Sequence, residues 1–147
     1  MTVKATVGAV CVSPDKGTKK KDVGRAVLVK DYGIENDGHA NSNTHRQVSL
    51  LSLSSIEKMK KLGLEVSSGD FAENITVSGM NVSDLPIGTR LKIGNEAVVE
   101  ITQIGKECHN HCAIFSQVGT CIMPVEGVFA RVIEGGEIST GTPITLV

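Results

Sequence analysis

Aromatic residues are scarce in this chain of 147 residues: they make up 3% of it, with no tryptophan, one tyrosine and three phenylalanines. Proteins that bind single-stranded nucleic acids stack the bases on aromatic side chains. General nucleic-acid binding also needs a basic surplus that displaces counterions from phosphates. Here 15 Lys and Arg residues are matched by 16 Asp and Glu residues, which gives a net charge of −1. We therefore expect no nucleic-acid partner.

Long apolar runs are lacking as well. None approaches the roughly 18–20 residues that cross a bilayer. The first residues, Met1 to Thr6, lack the charged and then apolar order of a signal peptide. We expect a cytoplasmic protein with no membrane partner, in which cysteines stay reduced as thiols. The chain has four of them, Cys11, Cys108, Cys112 and Cys121.

The content of 40% hydrophobic residues at this length suits one globular domain over residues 1–147. Sixteen glycines separate short stretches that favour β-structure. Many short strands and few helices predict a mostly-β protein, a β-barrel with one or two short helices. The main predicted strands are Ala5 to Val12, Ala26 to Val29, Gln47 to Leu53, Thr89 to Ile93, Ala97 to Ile104, Val128 to Ile133 and Ile144 to Val147.

One helix is predicted from Ser55 to Leu62. Its start has the form of a capping box, because Ser54 is followed three residues later by Glu57. Gly63 supplies a left-handed stop. A second, shorter helix is predicted from about Asn110 to Gln117. The apolar face of the first helix consists of Ile56, Met59 and Leu62.

A cluster of cysteine and histidine follows the strand that ends at Ile104. It reads Gly105-Lys106-Glu107-Cys108-His109-Asn110-His111-Cys112. A thiol at the end of a strand, beside Lys106 and imidazoles, has a lowered pKa, and the thiolate is both the nucleophile and the metal ligand. Glu107 works in the opposite direction. Cys108 is therefore a candidate nucleophile and metal ligand.

Other interpretations of these cysteines stay open. Zinc could use the cysteines and histidines, although Cys108 and Cys112 with one later cysteine do not match a standard zinc ribbon. The simpler interpretation of Cys112 and Cys121 is that they are buried thiols that pack beside Ile114 and Ile122. A zinc- or redox-sensing thiol protein is thus one alternative.

A polar segment from Gly33 to Ala40, followed by His45 and Arg46, is a candidate anion site. Glycines let backbone amides approach an anion, arginine binds phosphate or an oxo-anion in a bidentate manner, and His39 and His45 add donors. A solvated loop with ordinary caps is the alternative.

Two further polar segments have simple structural interpretations. Asn74, in the segment from Gly69 to Gly79, could cap a turn. The lysine-rich segment from Lys16 to Lys21 is interpreted as an exposed, solubilising loop.

Taken in order, five segments resemble the MOSC domain, the module named after the C-terminal part of molybdenum-cofactor sulfurase. Each motif alone is weak, but five in the order of the family are specific, and the likeness covers nearly the whole chain. The segments are Gly33 to Ala40, His45 to Leu51, Gly69 to Val77, Ile87 to Gly94 and on to Cys108, and Gly127 to Val132 and on to Gly141.

The resemblance implies a barrel with a pocket for the molybdenum cofactor (molybdopterin) or its sulfur. The functional cysteine of the family falls on Cys108, which is expected to carry sulfur as a persulfide or to bind molybdenum as a thiolate. The pterin cofactor carries a phosphate, which makes basic residues its expected contacts. The cofactor-binding residues implied in this way are Arg46, His39, His45, Asn74, Lys106 and Arg131.

The leading functional interpretation is a carrier that passes sulfur or the cofactor to a partner. The chain contains no pyridoxal-phosphate enzyme domain, so the resemblance implies a separate pyridoxal-phosphate-dependent cysteine desulfurase as sulfur donor. A molybdoenzyme or a cofactor-synthesis protein is the implied recipient. The alternative within the family is a small molybdenum-cofactor-dependent reductase of N-hydroxylated compounds.

Overall fold

The computed structural model describes residues 5–13, 20–38, 40–63, 65–69, 71, 73–105 and 126–147. Within these ranges no helix is both long and apolar enough to span a bilayer. The predicted helix from about Asn110 to Gln117 lies outside the described residues. The elements are β1 Ala5–Val12, β2 Lys21–Asp22, β3 Arg25–Val29, β4 Gly33–Ile34, β5 Val48–Ser52, α1 Leu53–Lys61, β6 Ile75–Ser78, a 3-10 turn Val82–Asp84, β7 Arg90–Ile93, β8 Ala97–Ile104, β9 Val128–Glu134, β10 Gly136–Ser139 and β11 Pro143–Leu146.

Seven of these strands close into a barrel. They follow the order β11-β7-β8-β9-β5-β6-β1, and β1 pairs back onto β11. Strand β2 extends one end of β1, and a small separate sheet has the order β10-β3-β4. The pairing of β5 with β6 is parallel and is connected through α1, as a crossover requires. The prediction of a mostly-β barrel with few helices is confirmed.

The barrel is filled by aliphatic side chains. Its buried cluster consists of alanine, valine, leucine and isoleucine, supplied by alternate residues such as Val99 and Ile101 of β8 and Val128, Ala130 and Val132 of β9. This cluster contains no aromatic residue. Burial of each large aliphatic side chain contributes about 1.5–3 kcal/mol.

A second, smaller cluster packs α1 against the outside of the barrel. It joins Ile56 and Met59 of the helix to Leu51 of β5, Phe71 and Phe129. Because neighbouring residues of a strand point to opposite faces, Phe129 lies outside the barrel while the residues on either side of it lie inside. This outer face of β9 is where the candidate site is found.

The helix differs from its prediction at both ends. It begins at Leu53, with Ser52 at the N-cap position and no side-chain cap, so the proposed capping box of Ser54 and Glu57 is wrong. The Ser52 hydroxyl does not cap the helix because it is bound elsewhere: it accepts a hydrogen bond from the Val82 N–H at 2.8 Å.

The helix ends at Lys61, and Leu62 at the C-cap position is 56% exposed rather than part of the buried face. The predicted glycine stop is confirmed. Gly63 has φ +96° and donates its N–H to the carbonyl oxygen of Lys60 at 3.0 Å.

The lysine-rich segment also differs from its prediction. Lys20 is buried, and its Nζ lies 2.8 Å from Oδ1 of Asp37 and 3.2 Å from Oγ of Ser13. Lys21 and Asp22 form β2. The interpretation as an exposed loop is therefore wrong for Lys20, because the carboxylate of a distant loop draws its ammonium group inward. Residues 14–19 lie outside the described residues.

Candidate functional site

The end of β8 and the start of β9 meet at one end of the barrel, and the residues that precede β5 lie beside β9. Backbone hydrogen bonds fix this meeting point: Gln47 donates to the carbonyl of Ala130 at 3.1 Å, and Gly105 donates to that of Gly127 at 2.6 Å. The segment 106–125, which contains Lys106 and Cys108, leaves and rejoins the described chain here. Both residues lie outside the described residues, as does His39.

A β-bulge shapes this end of β8. Ile101 pairs with Ala130, and Gln103 pairs with Phe129, the residue just before Ala130 in β9. Thr102, between Ile101 and Gln103, is therefore an extra residue. A bulge of this kind redirects the side chains that follow it. It places Gln103 opposite Phe129 on the outer face of the barrel.

Arg46 lies on this outer face. Its Nε donates a hydrogen bond to Oε1 of Gln103 at 2.9 Å, and its Cζ lies 5.4 Å from the centre of the Phe129 ring. A guanidinium at this distance from a ring face makes a cation–π contact. The Arg46 side chain is exposed. Two contacts therefore hold the guanidinium group of a residue that is exposed overall.

His45 is held by the residue that forms the bulge. Its Nδ1 lies 2.8 Å from Oγ1 of Thr102, and this hydroxyl lies 3.2 Å from the carbonyl oxygen of His45 and 3.3 Å from that of Phe129. A hydroxyl has one proton and carbonyl oxygens only accept. The Thr102 hydroxyl therefore donates to a carbonyl oxygen and accepts a hydrogen bond from Nδ1–H of His45. Nε2, the other ring nitrogen of this exposed residue, takes no part in these contacts.

Arg131 lies two residues after Phe129 on the same face of β9, but it is in an ion pair. Its Nε lies 3.2 Å from Oδ1 of Asp31, and both side chains are about half exposed. Oδ1 of Asp31 also accepts a hydrogen bond from Nε2 of Gln47. Oε1 of Gln47 in turn accepts a hydrogen bond from the Val132 N–H. The charge of Arg131 is thus offset by a carboxylate, in an exposed pair of the kind that is worth about 0–1 kcal/mol.

Asn74 is fully buried between strands. Its Oδ1 accepts from the backbone N–H of Ser49 at 2.9 Å and from the Ser49 hydroxyl at 3.1 Å, and its Nδ2 donates to the carbonyl of Cys11 at 3.1 Å. These contacts tie β1 to β5. No contact among the described residues brings Asn74 together with Arg46.

Glu126 anchors the point where the segment 106–125 rejoins the described chain. Its carboxylate accepts from the hydroxyl of Ser55 at 2.6 Å and from Nζ of Lys58 at 2.7 Å. Burial raises the pKa of this carboxyl, but the hydrogen bonds from Lys58 and Ser55 and the charge of Lys58 outweigh it, so the pKa is lowered overall. Glu126 is therefore a charged link between this segment and α1.

An open cavity of about 680 Å³ lies at the other end of β8. From Glu96 to Gln103 the extended strand covers about 23 Å. The cavity is therefore separate from the Arg46 cluster, which we define as His45, Arg46, Thr102, Gln103 and Phe129. The lining residues are Lys92, Gly94, Asn95, Glu96, Glu137, Thr142, Pro143 and Thr145, and no predicted site residue that the structure describes is among them.

Sequence reasoning identified His45 and Arg46 but missed the residues that hold them. A signal was present in β8, where the alternation of Val99, Glu100 and Ile101 is followed by two consecutive polar residues, Thr102 and Gln103. Such a break in a period of two is typical of a bulge. Glu126 had no comparable signal, because its partners lie on a helix that is distant in sequence.

Known proteins are similar to this chain over most of its length. The profile of the MOSC domain matches residues 37–145. The uncharacterized protein YflK of Bacillus subtilis (strain 168) is 26% identical over 143 residues, which cover 90% of this chain and 64% of that protein. The chain thus spans just under two thirds of the length of this relative.

Solved structures share the fold. YuaD from Bacillus subtilis superimposes with a TM-score of 0.80 at 17% identity and covers 99% of this chain and 97% of its own. YiiM from Geobacillus stearothermophilus gives a TM-score of 0.70 at 19% identity, over 97% of this chain and 75% of its own. Identities this low show the fold alone. Because the family profile matches well over half of its residues, the chain belongs to the MOSC domain family, which is associated with molybdenum-cofactor proteins.

Proposed function

We propose that this protein is a carrier of sulfur or of the molybdenum cofactor, with Arg46 as a contact for the anionic group of the cofactor and Cys108 as the sulfur- or molybdenum-binding thiol. The observation that carries the proposal is the position of Arg46. Its guanidinium group is held above Phe129 at the end of the barrel from which the segment with Cys108 departs.

The described residues fit the phosphate of a pterin cofactor. Arginine presents parallel N–H groups that match a phosphate in a bidentate manner, and Arg46 is exposed, as is its neighbour in sequence, His45. Arg131 is a weaker candidate, because the carboxylate of Asp31 already offsets its charge. When bound, the cofactor would supply a thiophilic metal, for which a thiolate is a suitable ligand.

The segment that carries Cys108 begins beside this cluster. Cys108 follows Gly105 by three residues in the sequence, and Gly105 is the last described residue before it. Gly105 accepts a hydrogen bond from Nε2 of Gln103 at 2.7 Å, and Gln103 in turn holds Arg46. One side chain therefore connects the proposed anion contact to the start of the segment that carries the thiol.

The proposed sulfur transfer is a thiolate–persulfide exchange. The Cys108 thiolate attacks the outer sulfur of a persulfide on a cysteine desulfurase, a bond forms between the two sulfurs, and the S–S bond of the donor breaks. The thiolate of the desulfurase leaves with the electron pair, so no external oxidant is needed. We propose a molybdoenzyme or a cofactor-synthesis protein as the recipient of the sulfur.

The test is persulfide loading at single cysteines. The wild-type protein and the variants Cys108→Ser, Cys112→Ser and Cys121→Ser are each incubated with a cysteine desulfurase and cysteine, and the added sulfur is located by peptide mass spectrometry. We expect sulfur on Cys108 and its loss in Cys108→Ser alone. Sulfur on Cys112 or Cys121 while Cys108 stays bare contradicts the assignment. No sulfur on any cysteine removes the sulfur-carrier half of the proposal.

Metal analysis separates the alternatives. Protein purified from a host supplied with molybdate is expected to carry molybdenum that depends on Arg46 and Cys108. Tightly bound molybdenum together with reduction of N-hydroxylated compounds would support the reductase interpretation instead. Stoichiometric zinc that is lost equally in all three cysteine variants would favour a zinc thiol protein.

A further inference from the structure

We propose that Gln103 is a positioning residue that orients the guanidinium group of Arg46 for an anion. The β-bulge at Thr102 directs the Gln103 side chain to the outer face of the barrel, where it reaches Arg46. This inference rests on the proposed anion-binding role of Arg46. It assigns a function to two residues of the Arg46 cluster that do not themselves carry charge.

The bulge decides to which face Gln103 points. Ile101 belongs to the cluster inside the barrel, and residues two apart on a regular strand share a face. In a regular strand of the same sequence, with Thr102 paired like its neighbours, Gln103 would therefore point inward. With the bulge, Gln103 pairs with Phe129, whose ring lies outside the barrel, and reaches Arg46.

The orientation of the Gln103 amide follows from its two partners. The carbonyl of Gly105 only accepts, so the NH₂ group of Gln103 must face it, at 2.7 Å. Oε1 is thereby directed to the Nε–H of Arg46, which only donates, at 2.9 Å. The guanidinium group is thus held through Nε by Gln103 and through Cζ by the Phe129 ring. A group held in advance loses less freedom when a ligand binds.

The amide orients Arg46 without offsetting its charge. Three arginines in the described part of the chain make a side-chain contact through Nε. Arg90 contacts Glu100 and Arg131 contacts Asp31, both through a carboxylate. Arg46 alone among these three contacts a neutral acceptor. A held guanidinium group that pairs with no carboxylate of the described residues is what an anion site requires.

The test is titration with inorganic phosphate at low ionic strength, followed by the NMR signals of the arginine Nε–H groups. Gln103→Met removes the contact with little change of volume and is expected to raise the Kd about three- to tenfold, as for a lost contact to a charged group. Gln103→Glu keeps an acceptor but adds a negative charge, and it is expected to weaken binding more than Gln103→Met. Glu100→Gln is the matched control, because Glu100 lies on the same strand as Gln103 and accepts from the Nε–H of another arginine, Arg90. This variant should leave the Kd unchanged.

Arg46→Met separates the two levels of the proposal. If Arg46→Met weakens binding while Gln103→Met does not, Gln103 has no positioning role and only the further inference fails. If the wild-type protein does not bind phosphate, or Arg46→Met binds it as well as the wild type, the anion-binding role of Arg46 fails. A thermal melt of each variant provides a structural check. Weaker binding by Gln103→Met at an unchanged melting temperature supports positioning, whereas weaker binding only in proportion to lost folding contradicts it.

Discussion

The ammonium group of Lys20 lies 2.8 Å from the carboxylate of Asp37, and both side chains are completely buried. The backbone N–H of Ser13 donates to the same carboxylate oxygen, and the N–H of Gly38 donates to the Ser13 carbonyl. These contacts fasten the loop after β4 to the end of β1. Part of the segment that resembles the MOSC family is thus held by a buried ion pair.

Lys20→Met is expected to destabilise the protein by about 3–5 kcal/mol, because it leaves a buried carboxylate without its ammonium partner. The double variant Lys20→Met with Asp37→Leu should recover much of this loss, since neither charge of the pair is then left buried. Lys21→Met, next in sequence but exposed, is the control and should change little. Denaturant unfolding measures all three. Equal stability of Lys20→Met and Lys21→Met would show that the pair adds nothing.

A side chain at Gly69 would clash with the backbone of Lys20. A Cβ built there would lie 2.0 Å from the carbonyl oxygen of Lys20, and φ is +93°. Gly63 has a similar φ of +96° but open space around it. Gly63→Ala should therefore cost only the backbone strain of about 1–2 kcal/mol, whereas Gly69→Ala should cost clearly more. Unfolding free energies that are the same for both variants would contradict the close approach.

Local patterns in the sequence were sufficient to predict several elements. Strand β1 has the predicted bounds, Ala5 to Val12, because this stretch is rich in valine, which favours β-structure. The β7–β8 hairpin also forms, with Gly94 at φ +74° in its turn. In both places the signal lies within a few residues and no distant partner competes with it.

Other features depend on partners that are distant in sequence. The helix start was misplaced because Ser52, Ser54 and Ser55 are all suitable caps, and tertiary contacts decide among them. Arg46 and Gln103 are 57 residues apart, so no local pattern predicts their contact. The type of each candidate residue could be read from the sequence, but the partner that positions it could not.

Glu126 gives a pH dependence that can be measured. Its pKa in the folded protein is lowered from 4.5, so the contribution of this carboxylate to stability is fully present above that value. It is lost as the pH falls through the lower pKa of the folded state. We expect Glu126→Gln to be less stable than the wild type by about 1 kcal/mol at neutral pH. The difference should shrink in acid.

The control for this prediction is Glu57→Gln, an exposed glutamate on α1. Urea unfolding at several pH values from neutral to about pH 3 gives the comparison. A wild-type advantage over Glu126→Gln that stays constant across this range would mean that ionisation of Glu126 does not stabilise the fold.

The arginines of the barrel should differ in a graded manner when phosphate is titrated. Arg46→Lys keeps the charge but loses the planar fork, so we expect a Kd for phosphate about tenfold higher and a free energy of unfolding within about 0.5 kcal/mol of the wild type. Arg131→Lys should have a smaller effect on the Kd, because Asp31 already offsets that charge. Arg90→Lys, paired with Glu100, should have none. Calorimetry on the three variants tests this order. If Arg46→Lys lowered the melting temperature and left the affinity intact, Arg46 would stabilise the fold rather than bind an anion, and the contact with Phe129 would then be its main contribution.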